Sequence, residues 1–116
     1  MIVETRTYTI KPGLRQRFID LWETRTKPLQ QRIGMGVIGP WIDLENPDRF
    51  VWIRTFPSME ERERMKRALY ESEEWTGGLE AMIMPMLEDF TSVVVAIDDH
   101  ELPMLTPNAI QKRGQS

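Results

Sequence analysis

The sequence contains no cysteine and only one histidine, His100. The first absence excludes a disulfide framework, a thiolate metal centre and a cysteine nucleophile. The second leaves any histidine-based catalytic or metal site without a companion ligand. Long apolar runs are missing too. The longest, Val93 to Ile97, is far too short to cross a bilayer, and the chain opens on a charged, strand-like stretch where a secretory leader would be apolar. Nor is there an excess of positive charge. The formal charge is −3, which provides no electrostatic footprint for nucleic acid. The one basic cluster, Arg62, Arg64, Lys66 and Arg67, interleaves with Glu60, Glu61 and Glu63, the pattern of a solvated helix face. These absences predict a soluble, cytoplasmic protein with no metal, no cofactor, and neither nucleic acid nor membrane as partner. The 116 residues, 41% of them apolar, suffice for one domain with a true core and are too few for two.

The opening stretch MIVETRTYTI has the composition of a strand. Side chains alternate between the two faces of a strand, so Glu4, Arg6 and Tyr8 stand in a row on one face, while Val3, Thr5 and Thr7 share the other. Lys11, Pro12 and Gly13 punctuate its end. Leu14, Phe18, Leu21, Trp22, Leu29 and Ile33 then recur at helical spacing. Pro28 predicts a kink near Lys27 or a restart with the proline in the first turn of a second piece, and Gly34 predicts the helix end.

The segment Gly34-Met35-Gly36-Val37-Ile38-Gly39 has the glycine spacing of a dinucleotide fingerprint in the wrong context. That fingerprint needs a strand before it and a helix after it, whereas here a helix precedes and an extended pattern follows. A second strand is predicted from Val37 to Leu44, a turn at Asn46-Pro47-Asp48, and a third strand from Phe50 to Phe56 that pairs with the second as a hairpin. Ser58 and Glu61 predict a capping box for a helix reaching about Glu71. Gly77 and Gly78 interrupt the chain. Leu79, Met82, Ile83, Met86 and Leu87 then predict a short helix ended near Pro85, with Met82 and Met86 as adaptable core filler. A valine-rich fourth strand spans Phe90 to Ile97. Residues 1–98 thus form the predicted domain and 99–116 a tail, whose Leu102, Pro103, Met104 and Leu105 are expected to dock on protein.

The order strand, helix, hairpin, helix, strand is the βαββαβ arrangement of the ferredoxin-like α+β class, with a four-stranded antiparallel sheet. Both helical crossovers lie on one face of such a sheet. Taking the compact, mostly β-branched Val3, Thr5, Val51 and Ile53 as the helix-covered set leaves Glu4, Arg6, Tyr8, Phe50, Trp52 and Arg54, with Trp41, on the uncovered face. So much aromatic surface calls for a partner, and a second copy laid face to face would enclose it as a homodimer.

Three stretches, MIVETRTYTIKPG, FVWIRTFPSMEERERMKRAL and ESEEW, resemble the NIPSNAP family over roughly residues 1 to 97. Glu4, Arg6, Thr7, Tyr8, Pro12 and Gly13 stand where that family's opening pattern has them. The third strand departs from the usual pattern, with Trp52 and Arg54 where a histidine and a tryptophan are common. The resemblance implies a dimeric α+β barrel, whose structural relatives include cofactor-independent monooxygenases, decarboxylases, cyclases and haem-degrading enzymes; the missing histidine argues against haem chemistry. The expected site is a pocket for a small aromatic or anionic molecule. Arg6 and Arg54 would hold its carboxylate or enolate, Trp41 and Trp52 would stack on it, and Glu4 or Tyr8 would move a proton. The alternatives are a cofactor-independent monooxygenase, isomerase or cyclase acting on an aromatic or polyketide-like substrate, and a non-enzymatic dimeric scaffold in which Glu4 with Arg6 or Arg54 is an internal ion pair.

Overall fold

A computed structural model describes residues 1–98, 100 and 101. Four strands, β1 (Ile2–Ile10), β2 (Gly36–Ile42), β3 (Arg49–Phe56) and β4 (Leu87–Ala96), form one antiparallel sheet in the order β2-β3-β1-β4. The helices lie between them: α1 (Arg15–Leu21) and α2 (Lys27–Ile33) after β1, α3 (Met59–Tyr70) and the short α4 (Glu80–Ile83) after β3. This is the ferredoxin-like architecture that the element order predicted. No helix among the described residues is long and apolar enough to cross a membrane.

Pro28 neither breaks nor sharply ends its helix. A π-helical turn, Trp22–Thr26, joins α1 to α2, and the proline enters the first turn of α2, where its missing N–H costs least. Gly34 closes the helix in the left-handed region at φ 116°. The Met35 and Gly34 amides bond back to the Gln30 and Gln31 carbonyls, the Schellman arrangement. The glycine-rich segment is therefore a helix cap running into β2. Gly36 has its own reason to be glycine, since a Cβ there would stand 2.1 Å from Thr55 Oγ1 on β3. At α3, Ser58 Oγ accepts from the Glu61 amide at 3.1 Å, while the Glu61 carboxylate bonds Arg64 rather than completing the capping box. The second glycine pair falls in another π-helical turn, Trp75–Leu79, followed by α4 and a 3₁₀ turn, Met84–Met86, at Pro85. Met86 packs against the core, but Met82 is exposed and fills nothing. Leu102 to Leu105 lie outside the described residues.

The assignment of the two sheet faces is the reverse of that expected. Glu4 is opposite Arg54 and Val94, Arg6 opposite Trp52 and Ser92, and Tyr8 opposite Phe50 and Phe90, and this row lies under the helices. Trp22 packs its ring 5.2 Å from that of Trp52 and 6.0 Å from that of Phe50, and Phe18 lies 5.6 Å from Phe50 and 5.8 Å from Tyr8. The reason is volume. Filling the layer between a sheet and a helix to interior density takes long side chains from both, and Phe50, Trp52 and Phe56, all fully buried, supply them. Short β-branched residues make up the open face instead, where Val3 and Ile53 on the two central strands are themselves buried. Val3, Thr5, Thr7, Val51 and Ile53 share that face with Val93 and Val95 of β4, and the last two are 59% and 42% exposed.

Candidate active site

Beneath the helices the sheet carries an ion network centred on Glu4, which is 1% exposed. Arg54 donates to it through Nε at 2.9 Å and Nη2 at 3.0 Å. Arg6 donates through Nη1 at 2.8 Å, Arg62 approaches at 3.4 Å, and Ser92 Oγ adds a bond at 3.1 Å. Strand register accounts for the first two, since Arg54 is directly across from Glu4 and Arg6 is its next neighbour on the same face. Arg62 arrives from α3, although its basic cluster reads as a solvated face in the sequence. Its side chain is only 12% exposed, so this arginine is turned inward. Burial by itself would push the Glu4 carboxyl up, but the Arg54 hydrogen bonds and the charges of Arg54, Arg6 and Arg62 outweigh it and hold the pKa at about 2. Three guanidinium groups thus share one carboxylate.

The two arginines expected to bind an anion together have different surroundings. Arg54 spends its donors inside the protein, on Glu4, on Gln30 Oε1 of α2 and on Tyr70 Oη of α3, the last two at 3.3 Å. Its own pKa is raised, because the bonds to Glu4 and Tyr70 overcome the cost of burial. Arg6 has reach to spare. It lines a cavity of about 340 Å³ together with Tyr8, Tyr70, Trp75, Glu80 and an apolar wall of Ile83, Met84, Leu87 and Phe90. Its guanidinium lies 5.0 Å from the Phe90 ring centre and 5.4 Å from that of Tyr8. Tyr8 Oη accepts two of its N–H groups, at 3.2 and 3.1 Å. With one more bond to Glu4, two of the five guanidinium N–H groups have no partner among the described residues.

Tyr8 is set up as a donor. Burial pushes its pKa above the ordinary phenol value, against the opposing influence of Arg6, so the hydroxyl keeps its proton at neutral pH. Arg6 occupies its acceptor side, and Tyr8 lines the cavity.

Trp52 belongs to this neighbourhood but stacks inside the core, its ring centre 5.7 Å from Tyr8 and 5.5 Å from the Arg6 guanidinium carbon, and it does not line the cavity. Trp41 is elsewhere. It pairs with Val51 and so stands on the open face, 37% exposed, where it cannot stack on anything held by Arg6. Asp43 accepts backbone bonds from Glu45 and Asn46 at its turn, which lower its pKa. Of the cavity's lining residues only Arg6 and Tyr8 were expected at the site; among the others are Tyr70, Trp75 and Glu80. Trp75 Nε1 donates to Glu80 Oε2 at 3.1 Å across five residues, a spacing that only a π-helical turn brings to one side. An α-periodic reading separates them. Elsewhere, Asp98, His100 and Glu101 place potential ligand atoms close together, all three residues being exposed; no other such cluster occurs among the described residues.

A family model described as NIPSNAP matches residues 3–91. Among solved structures, the chain is similar to an uncharacterized NIPSNAP domain protein from Burkholderia xenovorans, with 21% identity, TM-score 0.76, and coverage of 85% of this chain and 96% of that one. A NIPSNAP family protein from Agrobacterium tumefaciens is equally similar, at 21% identity and TM-score 0.75, with 91% and 96% covered. A putative antibiotic biosynthesis monooxygenase from Nitrosomonas europaea shares the fold at 12% identity and TM-score 0.64, with 84% and 98% covered. No curated protein matches the chain.

Proposed function

Since the chain belongs to the NIPSNAP family and has the fold that family shares with antibiotic biosynthesis monooxygenases, we propose that it binds a small molecule with a flat apolar body and an anionic or enolic oxygen in the cavity above β1. The observation that carries this reading is the Arg6–Tyr8 pair, which lines a space walled by Trp75, Phe90, Ile83, Met84 and Leu87 and has guanidinium N–H groups to spare. An apolar pocket with a few convergent polar groups is the usual form of a small-molecule site. At about 340 Å³ it suits a ligand of one or two rings.

Within this reading the expected roles are redistributed. Arg6 holds the oxygen and Tyr8 donates to it. Glu4, held ionised, serves as counter-ion to three arginines and not as the proton carrier. Arg54 acts through Glu4, and Trp52 backs the guanidinium of Arg6. Such a site stabilises an enolate or phenolate oxygen, the step shared by cofactor-independent oxygenation, isomerisation and cyclisation. Glu80 at the cavity wall offers a carboxylate on the other side of the ligand.

The proposal includes a homodimer, formed through the other sheet face. Val93, Val95 and Trp41 are exposed there on the two edge strands, and flat β-branched faces pack well against each other.

Isothermal calorimetry with 2-naphthoate and 2-naphthol tests the pocket. The parent should bind saturably and Met84→Trp, which fills the cavity from a half-exposed position, should abolish binding. No saturable binding of either probe, or equal binding by Met84→Trp, would refute the reading.

A further inference from the structure

A second, much smaller void adjoins the cavity. It has a volume of about 20 Å³ and shares Tyr8, Tyr70 and Trp75 with its larger neighbour, so these three rings form the partition between them. Its far wall includes Thr26, from the π-helical turn before α2, and Trp52 of β3. Both residues are buried, yet Thr26 Oγ1 and Trp52 Nε1 have no hydrogen-bond partner among the described residues, and the neighbouring Trp22 Nε1 has none either. A buried polar atom left unpaired costs about 1 to 3 kcal/mol, and native interiors rarely leave one so. Three in one neighbourhood, two of them on residues that line one void beside a ligand-sized cavity, call for an occupant.

The donor set narrows what that occupant is. An indole N–H can only donate, so the guest must offer acceptor lone pairs. A volume of about 20 Å³ admits one water-sized atom, whereas a carboxylate brings three. Nor is a second full charge called for, because Arg54, the one ion on the wall, already has four hydrogen bonds to Glu4, Gln30 and Tyr70. We propose that this niche is a subsite for a single uncharged carbonyl oxygen of the ligand, which enters past Tyr70 and accepts from Trp52 Nε1 and Thr26 Oγ1. Tyr70 is the partition residue with most freedom, being 36% exposed and tied to Arg54 only by a 3.3 Å bond.

The inference rests on the larger cavity being a small-molecule site and adds a substrate class: cyclic aryl ketones or quinone-like molecules, in which one carbonyl enters the niche while the ring stays in the cavity against Trp75. Its consequence is discrimination by one atom. A site built around donors rejects an analogue that lacks the matching acceptor, because the donors are then left buried and unpaired.

1-Tetralone and tetralin differ only in the carbonyl and are the probes of choice. Calorimetry should show the parent binding 1-tetralone at least about tenfold more tightly than tetralin. Thr26→Val keeps the shape of the niche and removes one of its two donors. It should reduce the preference severalfold while leaving tetralin affinity unchanged and the melting temperature no lower than in the parent, since an orphaned polar atom has been replaced by an apolar one. Should that variant fail to fold, a crystal structure of the parent with 1-tetralone decides, with the carbonyl oxygen expected within about 3 Å of Thr26 Oγ1 and Trp52 Nε1 and away from Arg6. Equal binding of the two probes by the parent, an unchanged preference in the variant, or a carbonyl seated on Arg6 and Tyr8 would mean that the niche holds at most a fixed water, and would overturn the subsite while the pocket stands. If neither these probes nor the naphthalene acids and phenols bind, the pocket reading falls with it.

Discussion

Replacing Glu4 by glutamine removes one negative charge from beneath three guanidinium groups and changes little else in shape. In the folded protein the Glu4 carboxyl titrates at about 2, against an ordinary value of 4.5. The difference corresponds to about 3 kcal/mol of folding stability at neutral pH. Truncating one member of a buried ion pair costs roughly 3 to 5 kcal/mol, so two routes agree on a loss of about 3 to 5 kcal/mol at pH 7, a large part of the roughly 5 to 15 kcal/mol that holds a domain together. The direction with pH follows from the depressed pKa. The unfolded chain takes up the Glu4 proton first as pH falls, so the stabilisation is complete above about pH 5 and lost on the way down to about pH 2. Urea unfolding of the parent and Glu4→Gln across that range isolates the effect, because other titrating groups cancel in the difference. The gap should be widest at pH 6 to 7 and close towards pH 2. A variant within about 1 kcal/mol of the parent at pH 7, or a gap that does not change with pH, would refute the ion network as described.

Val93→Arg with Val95→Glu should convert a dimer to a monomer in sedimentation velocity, with ligand binding in each subunit retained; a parent already monomeric at tens of micromolar would remove the open face as an interface. Tyr8→Phe should weaken 2-naphthol binding about tenfold through the loss of one hydrogen-bond donor, and cost about 1 to 3 kcal/mol of stability because two buried Arg6 N–H groups lose their acceptor, as calorimetry and urea titrations would show. Gly36→Ala should cost about 1 to 3 kcal/mol through its clash with Thr55, and adding Thr55→Ala should recover most of it in urea titrations. Trp41→Phe should leave ligand affinity unchanged, because that ring lies on the other side of the sheet.

The elements themselves were legible because each carries a local signal: the alternation of β1, the helical stripe ending at Gly34, the Asn46 to Asp48 turn, the Ser58 cap. The grouping of Glu4, Arg6, Tyr8, Trp52 and Arg54 on one face followed from strand alternation alone, and the structure brings them together. Which way that face points did not follow. Alternation distinguishes two faces without saying which meets the helices, and the deciding fact is that Phe18 and Trp22 need bulky partners across the layer. The rest of the site depends on distant pairing. Ser92 and Arg62 reach Glu4 across 88 and 58 residues, and Glu80 joins through a π-helical turn that hydrophobic periodicity does not announce. Trp41 was misplaced for a related reason, since the register of β2 against β3 shifts between Ile38 and Trp41, and strict alternation cannot be counted through such an irregularity.

The central claim is that Arg6 and Tyr8 receive the oxygen of a flat apolar ligand, and a crystal structure grown with 2-naphthoate tests it most directly. The account predicts the carboxylate within about 3 Å of the Arg6 guanidinium and the Tyr8 hydroxyl, with the rings between Trp75 and Phe90. A ligand found only on the open sheet face, or a cavity that stays free of it at saturating concentration, would contradict it.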